Sequence, residues 1–207
     1  MNAMFISVEG ADGSGKSTQI ELLKNYLVQQ GYDDVLITRE PGGTKISEAI
    51  REIILNKDYT EMGYMTEAML YASARAQLVS EVILPALEAG KAVISDRFVD
   101  SSAVYQGMAR GLGIEKIYEL NSFALQGLMP DLTIHLDIPA VRGLERAKDR
   151  AELDRMELES IEFHEKVAQG YRDLAKRFPT RIHTIDATQS IEAIHTQIVE
   201  LVSQKLR

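Results

Sequence analysis

Gly10-Ala11-Asp12-Gly13-Ser14-Gly15-Lys16-Ser17 is the stretch of this 207-residue sequence that decides its fold. Its glycine spacing is that of a phosphate-binding loop, in which backbone N–H groups and the positive end of a following helix hold phosphate oxygens. In such a loop the lysine reaches the β- and γ-phosphates, and the hydroxyl that follows it can ligate Mg²⁺. The stretch therefore predicts a nucleoside triphosphate site near the beginning of the chain.

The residues on either side of this loop have the periodicity that it requires. Residues 4–8 are an apolar run of strand length, and Ile20, Leu23 and Leu27 recur at helical spacing until Gly31. A strand, a glycine-rich turn and a helix in this order favour a phosphate-binding loop over the alternative, a flexible glycine-serine turn.

Strand-like and helix-like runs alternate along the whole chain. The strand-like runs cover residues 5–8, 35–38, 92–95, 132–138 and 182–185. This alternation predicts an α/β fold with a mostly parallel sheet and helices on both faces, in which ligands bind outside the carboxyl ends of the strands. Pro85 lies within a helical pattern over residues 66–89 and is expected to kink or break it.

The composition restricts the class of protein. The length suits one domain with a single large core, and the sequence has no cysteine that would indicate an oxidising compartment. No apolar stretch approaches the ~20 residues of a membrane-spanning helix, and no leader-like segment precedes the first strand, so we expect a cytoplasmic protein without a membrane partner. The net charge of −8 argues against a nucleic-acid-binding protein that relies on a broad basic surface.

Polar residues at the ends of predicted strands indicate where the site lies. Residues 39–43 and the Asp96-Arg97-Phe98 segment follow two of these strands, and the phosphate-binding loop follows another. They should converge on one cleft, where Ser17 and Asp96 are the candidate ligands of Mg²⁺. The alternative for Asp96 is that it caps the next helix.

Four arginines lie in apolar or turn-like contexts, where a guanidinium needs a partner: Arg39, Arg51, Arg75 and Arg97. A bidentate guanidinium suits a phosphate monoester, although each arginine could equally pair with a neighbouring acid such as Glu40, Glu67 or Asp100. Two anion sites, with no evident set of residues that would act as a general base, predict a kinase whose acceptor group is itself a phosphate.

Residues 142–155 form the second informative region. Arg142, Arg146 and Arg150 are spaced so that like charges would stack along one face of a helix. One interpretation is a mobile lid that brings an arginine to the transferring phosphoryl group. The alternative is a solvated surface helix, neutralised by the acidic residues that lie between these arginines.

The motifs together resemble bacterial thymidylate kinase. They are residues 10–18, residues 38–44, Asp96-Arg97-Phe98, Tyr105-Gln106-Gly107 and residues 130–133. The resemblance spans almost the whole chain. It implies transfer of a phosphoryl group from ATP to dTMP with Mg²⁺, and one nucleoside monophosphate kinase domain over residues 1–207. It also implies a phosphate-loop kinase fold around a five-stranded parallel sheet, a lid near residues 142–155 and a homodimer.

The resemblance also implies roles on the donor side. The residues that would hold the ATP phosphates are Gly10, Ala11, Asp12, Gly13, Ser14, Gly15, Lys16, Ser17 and Thr18. Lys16, Arg39 and Arg97 would act in catalysis. Gly13 stands where some relatives carry a catalytic arginine, so a lid arginine, first of all Arg150, would supply that charge, and Arg146 would clamp the donor.

On the acceptor side, Asp12 resembles the carboxylate that contacts the 3′-hydroxyl. Arg75 and Gln106 are similar to the residues that read thymine, and Tyr105 to the one that packs on the sugar. Tyr71 occupies the position where the family more often has a phenylalanine stacked on the base. The dTMP-binding residues implied in this way are Asp12, Arg39, Arg51, Tyr71, Arg75, Arg97, Ser101, Tyr105 and Gln106.

Three other functions compete with this one. A purely structural ATP-binding module would not explain why arginines accompany several strand ends. A kinase of another nucleoside monophosphate on the same fold would share the phosphate chemistry and differ in the base pocket. A nucleotide-switched binding protein would need a base-specificity motif of the form Asn-Lys-x-Asp, which the sequence does not contain.

Overall fold

The computed structural model of this protein describes residues 3–148 and 154–206. Its strands are β1 (Met4–Glu9), β2 (Val35–Arg39), β3 (Ala92–Asp96), β4 (Leu132–Asp137) and β5 (Ile182–Asp186). They form one five-stranded sheet in the order β2-β3-β1-β4-β5. Every neighbouring pair is parallel, so the predicted α/β fold is confirmed.

Helices cover both faces of the sheet. They are α1 (Lys16–Gln29), α2 (Lys45–Leu55), α3 (Tyr64–Leu78), α4 (Leu84–Glu88), α5 (Val99–Ser102), α6 (Ile114–Leu125), α7 (Ala140–Lys148), α8 (Ile161–Arg177) and α9 (Ile191–Lys205). Two π-helical segments, Val79–Ile83 and Ala103–Ala109, follow α3 and α5 directly. In the part of the chain that the structure describes, we find no helix that is both long and apolar enough to span a membrane.

The central strand β1 is buried on both faces because its side chains alternate between two cores. Ile6 and Val8 pack with residues of α1 and α9, such as Leu23 and Ile198. Phe5 lies in the cluster on the opposite face, with residues of α3 and the π-helical segment behind it. A strand covered on both faces reads as a continuous apolar run, which is why the pattern over residues 4–8 located it.

Pro85 neither ends nor interrupts the helical path. The chain continues from α3 through the π-helical segment Val79–Ile83 into α4, whose first residues include Pro85. A proline removes one backbone donor, and the wider turn that precedes it accommodates the change in hydrogen bonding. The expected break is therefore replaced by a local change in helical winding.

The strand register brings the predicted polar segments to one edge of the sheet. Asp96 pairs with Val8 of β1 on one side and with Arg39 of β2 on the other. The phosphate-binding loop, the turn after β2 and the segment after β3 consequently leave the sheet side by side.

Candidate active site

The phosphate-binding loop depends on glycine for both its conformation and its contacts. Gly10, Gly13 and Gly15 all have positive φ angles, of 140°, 76° and 93°. A Cβ atom on Gly13 would lie 2.1 Å from the carbonyl oxygen of Gly143, and one on Gly143 would lie 2.6 Å from the carbonyl oxygen of Asp12. Helix α7 therefore packs backbone against backbone on the loop, which no side chain at either position would permit.

Lys16 reaches back over the loop from the first turn of α1. Its Nζ donates hydrogen bonds to the carbonyl oxygens of Gly10 and Ala11, both at 3.1 Å. Burial, together with the nearby charge of Arg97, lowers the pKa of Lys16. The ammonium group is thus held at the centre of the loop, where phosphate oxygens are expected.

A polar cavity of about 150 Å³ opens beside this loop, and we call it the phosphate cavity. Its lining residues are Asp12, Gly13, Gly15, Lys16, Ser17, Arg39, Glu40, Arg51, Asp96 and Arg97. The three polar segments that follow β1, β2 and β3 therefore converge on one space.

Asp96 fits the role of a metal ligand better than that of a helix cap. The residue that precedes α5 is Phe98, and its helix start has no side-chain cap. Oδ1 of Asp96 is buried and has no hydrogen-bond partner within residues 3–148 and 154–206. Asp96 lines the phosphate cavity together with Ser17. A carboxylate and a hydroxyl oxygen are suitable ligands for Mg²⁺. This ion needs only one or two protein ligands when substrate phosphates and water supply the remaining oxygen ligands.

Arg97 connects the loop after β3 to the phosphate-binding loop. It has a left-handed backbone with φ of 69°, which is rare outside glycine and typical of functional sites. Its Nη2 lies 2.6 Å from Oδ1 of Asp12, and its Nη1 donates to the carbonyl oxygen of Gly10 at 2.7 Å. Burial opposes ionisation of Asp12, but the charges of Arg97 and Lys16 outweigh it and lower the pKa of Asp12 to about 2.

Arg39 and Arg51 meet at the turn after β2. Both donate to the carbonyl oxygen of Pro41, at 3.0 Å and 2.8 Å. Arg39 also forms an ion pair with Glu48 at 2.8 Å, so its acidic partner differs from the neighbouring acids that the sequence suggested. Burial and the nearby charge of Arg39 lower the pKa of Arg51.

A second cavity, of about 90 Å³, adjoins the phosphate cavity, and we call it the acceptor cavity. Its lining residues are Asp12, Glu40, Pro41, Arg51, Leu55, Tyr71, Arg97, Ser101, Ser102, Tyr105, Gln106, Asp154 and Met156. The two cavities share Asp12, Glu40, Arg51 and Arg97. The hydroxyl of Tyr105 is buried and has no hydrogen-bond partner among the residues that the structure describes.

Arg75 lies behind the wall of the acceptor cavity and is absent from its lining. Its side chain is 1% exposed. Nε donates to Oε2 of Glu40 at 2.9 Å, and Nη1 donates to Oδ1 of Asn121 at 2.6 Å and to Ser102 at 3.2 Å. The structure thus shows the alternative pairing with an acid, through which Arg75 braces Glu40. Its contact with a base edge stays a prediction.

Glu9 is a buried acid next to the site, in contact with the Ser101 side chain, and the sequence analysis missed it. It ends β1 fully buried and accepts hydrogen bonds from the backbone N–H of Phe98 at 2.7 Å and from the Tyr171 hydroxyl at 3.1 Å. Burial, with the nearby charge of Asp100, raises the pKa of Glu9 to about 8. The sequence feature that could have identified Glu9 is an acidic residue at the end of an apolar strand, directly before Gly10.

A third cavity, of about 410 Å³, lies on the other flank of the phosphate-binding loop. Its lining residues are Gly13, Ser14, Gly15, Thr18, Gln19, Arg146, Ala187, Gln189, Ile191 and Ile194. Nη1 of Arg146 lies 3.4 Å from the carbonyl oxygen of Gly13. Arg150, the predicted lid arginine, lies outside the described residues.

Comparisons with known proteins agree on one family. Residues 8–198 match the sequence model described as Thymidylate kinase. The thymidylate kinase of Geobacillus thermodenitrificans is 51% identical over 208 residues, which span 100% of this chain and 92% of that protein. The thymidylate kinase of a Thermoanaerobacter species is 51% identical over 206 residues and 100% of both chains.

A solved structure gives the same result for the fold. The crystal structure of thymidylate kinase from Ehrlichia chaffeensis superposes with a TM-score of 0.80 and 32% sequence identity. The superposition covers 98% of this chain and 99% of that chain.

Proposed function

The chain belongs to the thymidylate kinase family and is an enzyme that phosphorylates dTMP, and on this basis we propose which residues bind each substrate and which act in phosphoryl transfer. ATP is the donor and the loop at residues 10–18 holds its phosphates. The observation that carries the proposal is the junction of two cavities at Asp12 and Arg97. An acceptor phosphate at this junction would face the end of the donor's phosphate chain.

The chemical step is a direct in-line transfer. An oxygen of the dTMP phosphate forms a bond to the γ-phosphorus while the bond from that phosphorus to the β–γ bridging oxygen breaks, and ADP leaves. The attacking oxygen is already anionic, so no general base is needed. Lys16, Arg39 and Arg97 hold charge on the reacting oxygens, and their positions around the phosphate cavity support this role.

Ser17 and Asp96 are the residues that would hold Mg²⁺. The ion, when bound, supplies positive charge to the donor phosphates and orients them. The unpartnered carboxylate oxygen of Asp96 in the phosphate cavity supports this assignment.

The acceptor cavity receives the nucleoside. Tyr71 stacks on the base, Gln106 reads its edge and the Tyr105 hydroxyl hydrogen-bonds near the sugar. Asp12 contacts the 3′-hydroxyl, while Arg97, with Arg39 and Arg51, binds the acceptor phosphate. The buried and unpartnered hydroxyl of Tyr105 supports a ligand at this place, because such groups normally have a partner.

The donor base lies in the cavity on the other flank of the loop, beside Arg146. The lid, near residues 142–155, supplies a further cation to the transferring group, and Arg150 is the first candidate. Gly13 packs closely against Gly143 of α7, which supports a coupling between movement of the phosphate-binding loop and the position of this helix.

We also propose that the chain is one cytoplasmic domain that works as a homodimer. Exposed apolar side chains lie on α2, α3 and α6, which pack side by side. They are Ile46, Ile53, Met65, Met69 and Phe123, the last of which is 90% exposed. Several exposed apolar side chains on neighbouring helices are typical of a protein interface.

The experiment that tests the proposal is an ADP-release assay with ATP and a panel of monophosphates: dTMP, dUMP, dCMP, dGMP and AMP. We expect kcat/KM for dTMP to exceed that for the purine nucleotides at least about a hundredfold, because their bases cannot satisfy the polar groups of the acceptor cavity. Chelation of Mg²⁺ should abolish turnover. Preference for another nucleotide would instead support the competing kinase and would require a reassignment of Tyr71 and Gln106.

A further inference from the structure

Glu67 is a fully buried carboxylate on α3 that the transfer reaction does not use, with 0% of its surface exposed. Its Oε1 accepts hydrogen bonds from Nε2 of Gln106 at 3.0 Å and from Nε of Arg110 at 3.2 Å. Its Oε2 lies 2.7 Å from Nη2 of Arg155. Burial opposes its ionisation, but the hydrogen bonds from Arg110 and Gln106 outweigh it and lower the pKa of Glu67. The group is therefore charged at neutral pH.

An ionised carboxylate can only accept hydrogen bonds, so it decides which way the Gln106 amide points. The NH₂ group must face Glu67, because the reversed amide would place two acceptors in contact. Gln106 lines the acceptor cavity whereas Glu67 does not. The amide oxygen therefore faces away from Glu67 and is the acceptor that Gln106 offers to a ligand in this cavity.

We propose that Glu67 is a positioning residue that sets the base selectivity of the acceptor cavity by holding the Gln106 amide in one orientation. The inference rests on the proposed placement of the base beside Gln106. An amide oxygen at this edge accepts a hydrogen bond from a pyrimidine whose N3 carries a hydrogen, as in thymine and uracil. Cytosine presents an N3 acceptor there, and two acceptors in contact are unfavourable.

The same carboxylate holds the opposite wall of the cavity. Arg155 follows the segment that includes the lid arginine, and it donates from Nε to the carbonyl oxygen of Ile54 at 2.7 Å. Its neighbours Asp154 and Met156 line the acceptor cavity. A change at Glu67 could thus act by loosening this wall, and the test must separate that effect from the orientation of Gln106.

Glu159 provides the matched control. It pairs with Arg110 at 2.6 Å in the same cluster of charges, and no contact joins it to Gln106 among the described residues. Glu159→Gln removes one negative charge from the cluster, as Glu67→Gln does, but leaves the amide orientation fixed.

The experiment measures kcat and KM for dTMP and dCMP, together with Tm, in the wild-type enzyme, Glu67→Gln and Glu159→Gln. We expect Glu67→Gln to reduce the ratio of kcat/KM for dTMP over dCMP about tenfold, mainly through a higher KM for dTMP. Glu159→Gln should keep the wild-type ratio. If Glu67→Gln lowers activity toward both acceptors alike, its role is structural and the inference is wrong.

Two further measurements complete the test. Glu67→Asp keeps the charge between the two arginines but shortens the side chain, so it should reduce the ratio even if Glu67→Gln does not fold. In a Gln106→Leu background, Glu67→Gln should no longer change the ratio, and a persisting change would contradict the inference. A wild-type enzyme without preference for dTMP and dUMP over dCMP would overturn the placement of Gln106 itself.

Discussion

The donor and acceptor sides of this enzyme are built in different ways. The phosphate-binding loop is one continuous stretch whose conformation is carried by glycines. Its neighbour, α7, packs on it through the backbone of Gly143 and reaches it with the Arg146 side chain. The acceptor cavity draws side chains from the loop, from α2, α3 and α5, and from the turn at residues 154–156. Phosphates can be held by backbone N–H groups, but a nucleoside must be recognised by side chains that other side chains hold in place.

Acids that pair with arginines hold these side chains in place around the acceptor cavity; Glu40 and Glu67 are buried, and Asp12 is partly exposed. Glu40 pairs with Arg75, Glu67 with Arg110 and Arg155, and Asp12 with Arg97. Removal of one partner from such a pair leaves an uncompensated charge in a buried place. We therefore expect changes on the donor side to affect the chemical step, and changes on the acceptor side to affect substrate selection and the pH dependence of stability.

The largest effect should come from Lys16→Ala on the donor side. Loss of the cation at the centre of the loop should lower kcat by about 10²–10³-fold, and by the same factor for dTMP and dUMP. Steady-state kinetics with both acceptors measure this, with the exposed Lys205→Ala as control. A change confined to the KM of one acceptor would contradict the expectation that donor-side residues act on the chemical step and not on the choice of acceptor.

A smaller effect is expected from Tyr105→Phe on the acceptor side. Among the described residues this hydroxyl has no hydrogen-bond partner that meets the usual geometry, so its removal should leave Tm unchanged or slightly higher. Loss of one hydrogen bond to the ligand should raise the KM for dTMP about three- to tenfold, with the KM for ATP unchanged. Tyr59→Phe, at an exposed position, is the control. An unchanged KM for dTMP would remove Tyr105 from the acceptor site.

The smallest effect on catalysis should come from Glu9→Gln, because Glu9 lines neither cavity, and its main effect concerns stability. The raised pKa of about 8, caused by burial and by Asp100, means that the folded state binds a proton that the unfolded state releases near pH 4.5. The favourable contribution of Glu9 is thus present below pH 4.5 and is lost as the pH rises towards 8. Arg97 and hydrogen bonds from Ser101 and Phe98 oppose this shift without cancelling it.

The measurement is Tm of the wild-type enzyme and of Glu9→Gln between pH 5 and pH 9, with the exposed Glu88→Gln as control. A neutral amide can keep the contacts of the protonated acid, so the variant should gain in Tm relative to the wild type as the pH rises. A difference in Tm that is independent of pH would show that Glu9 stays ionised throughout.

Some residues could be assigned from the sequence because their signals are local. Strand-like runs directly precede the loop at residues 10–18 and the pair Asp96 and Arg97. Because parallel strands bring their carboxyl ends to one edge of the sheet, these residues could be expected in one site. Arg75 and Arg155 could not be assigned in this way. Both carry the same charge as the arginines of the phosphate cavity, but their partners are Glu40 and Glu67, which are distant in sequence.

The sequence by itself determined the parallel α/β fold, the triphosphate loop and the family, since these depend on periodicity and on motifs of a few consecutive residues. Only the tertiary structure decided which acid each arginine meets, which polar atoms lack a partner and which way the Gln106 amide points. The physical reason is that burial and pairing depend on contacts between elements far apart along the chain. The same carboxylate is a solvated charge at Glu88 and a buried anchor at Glu67.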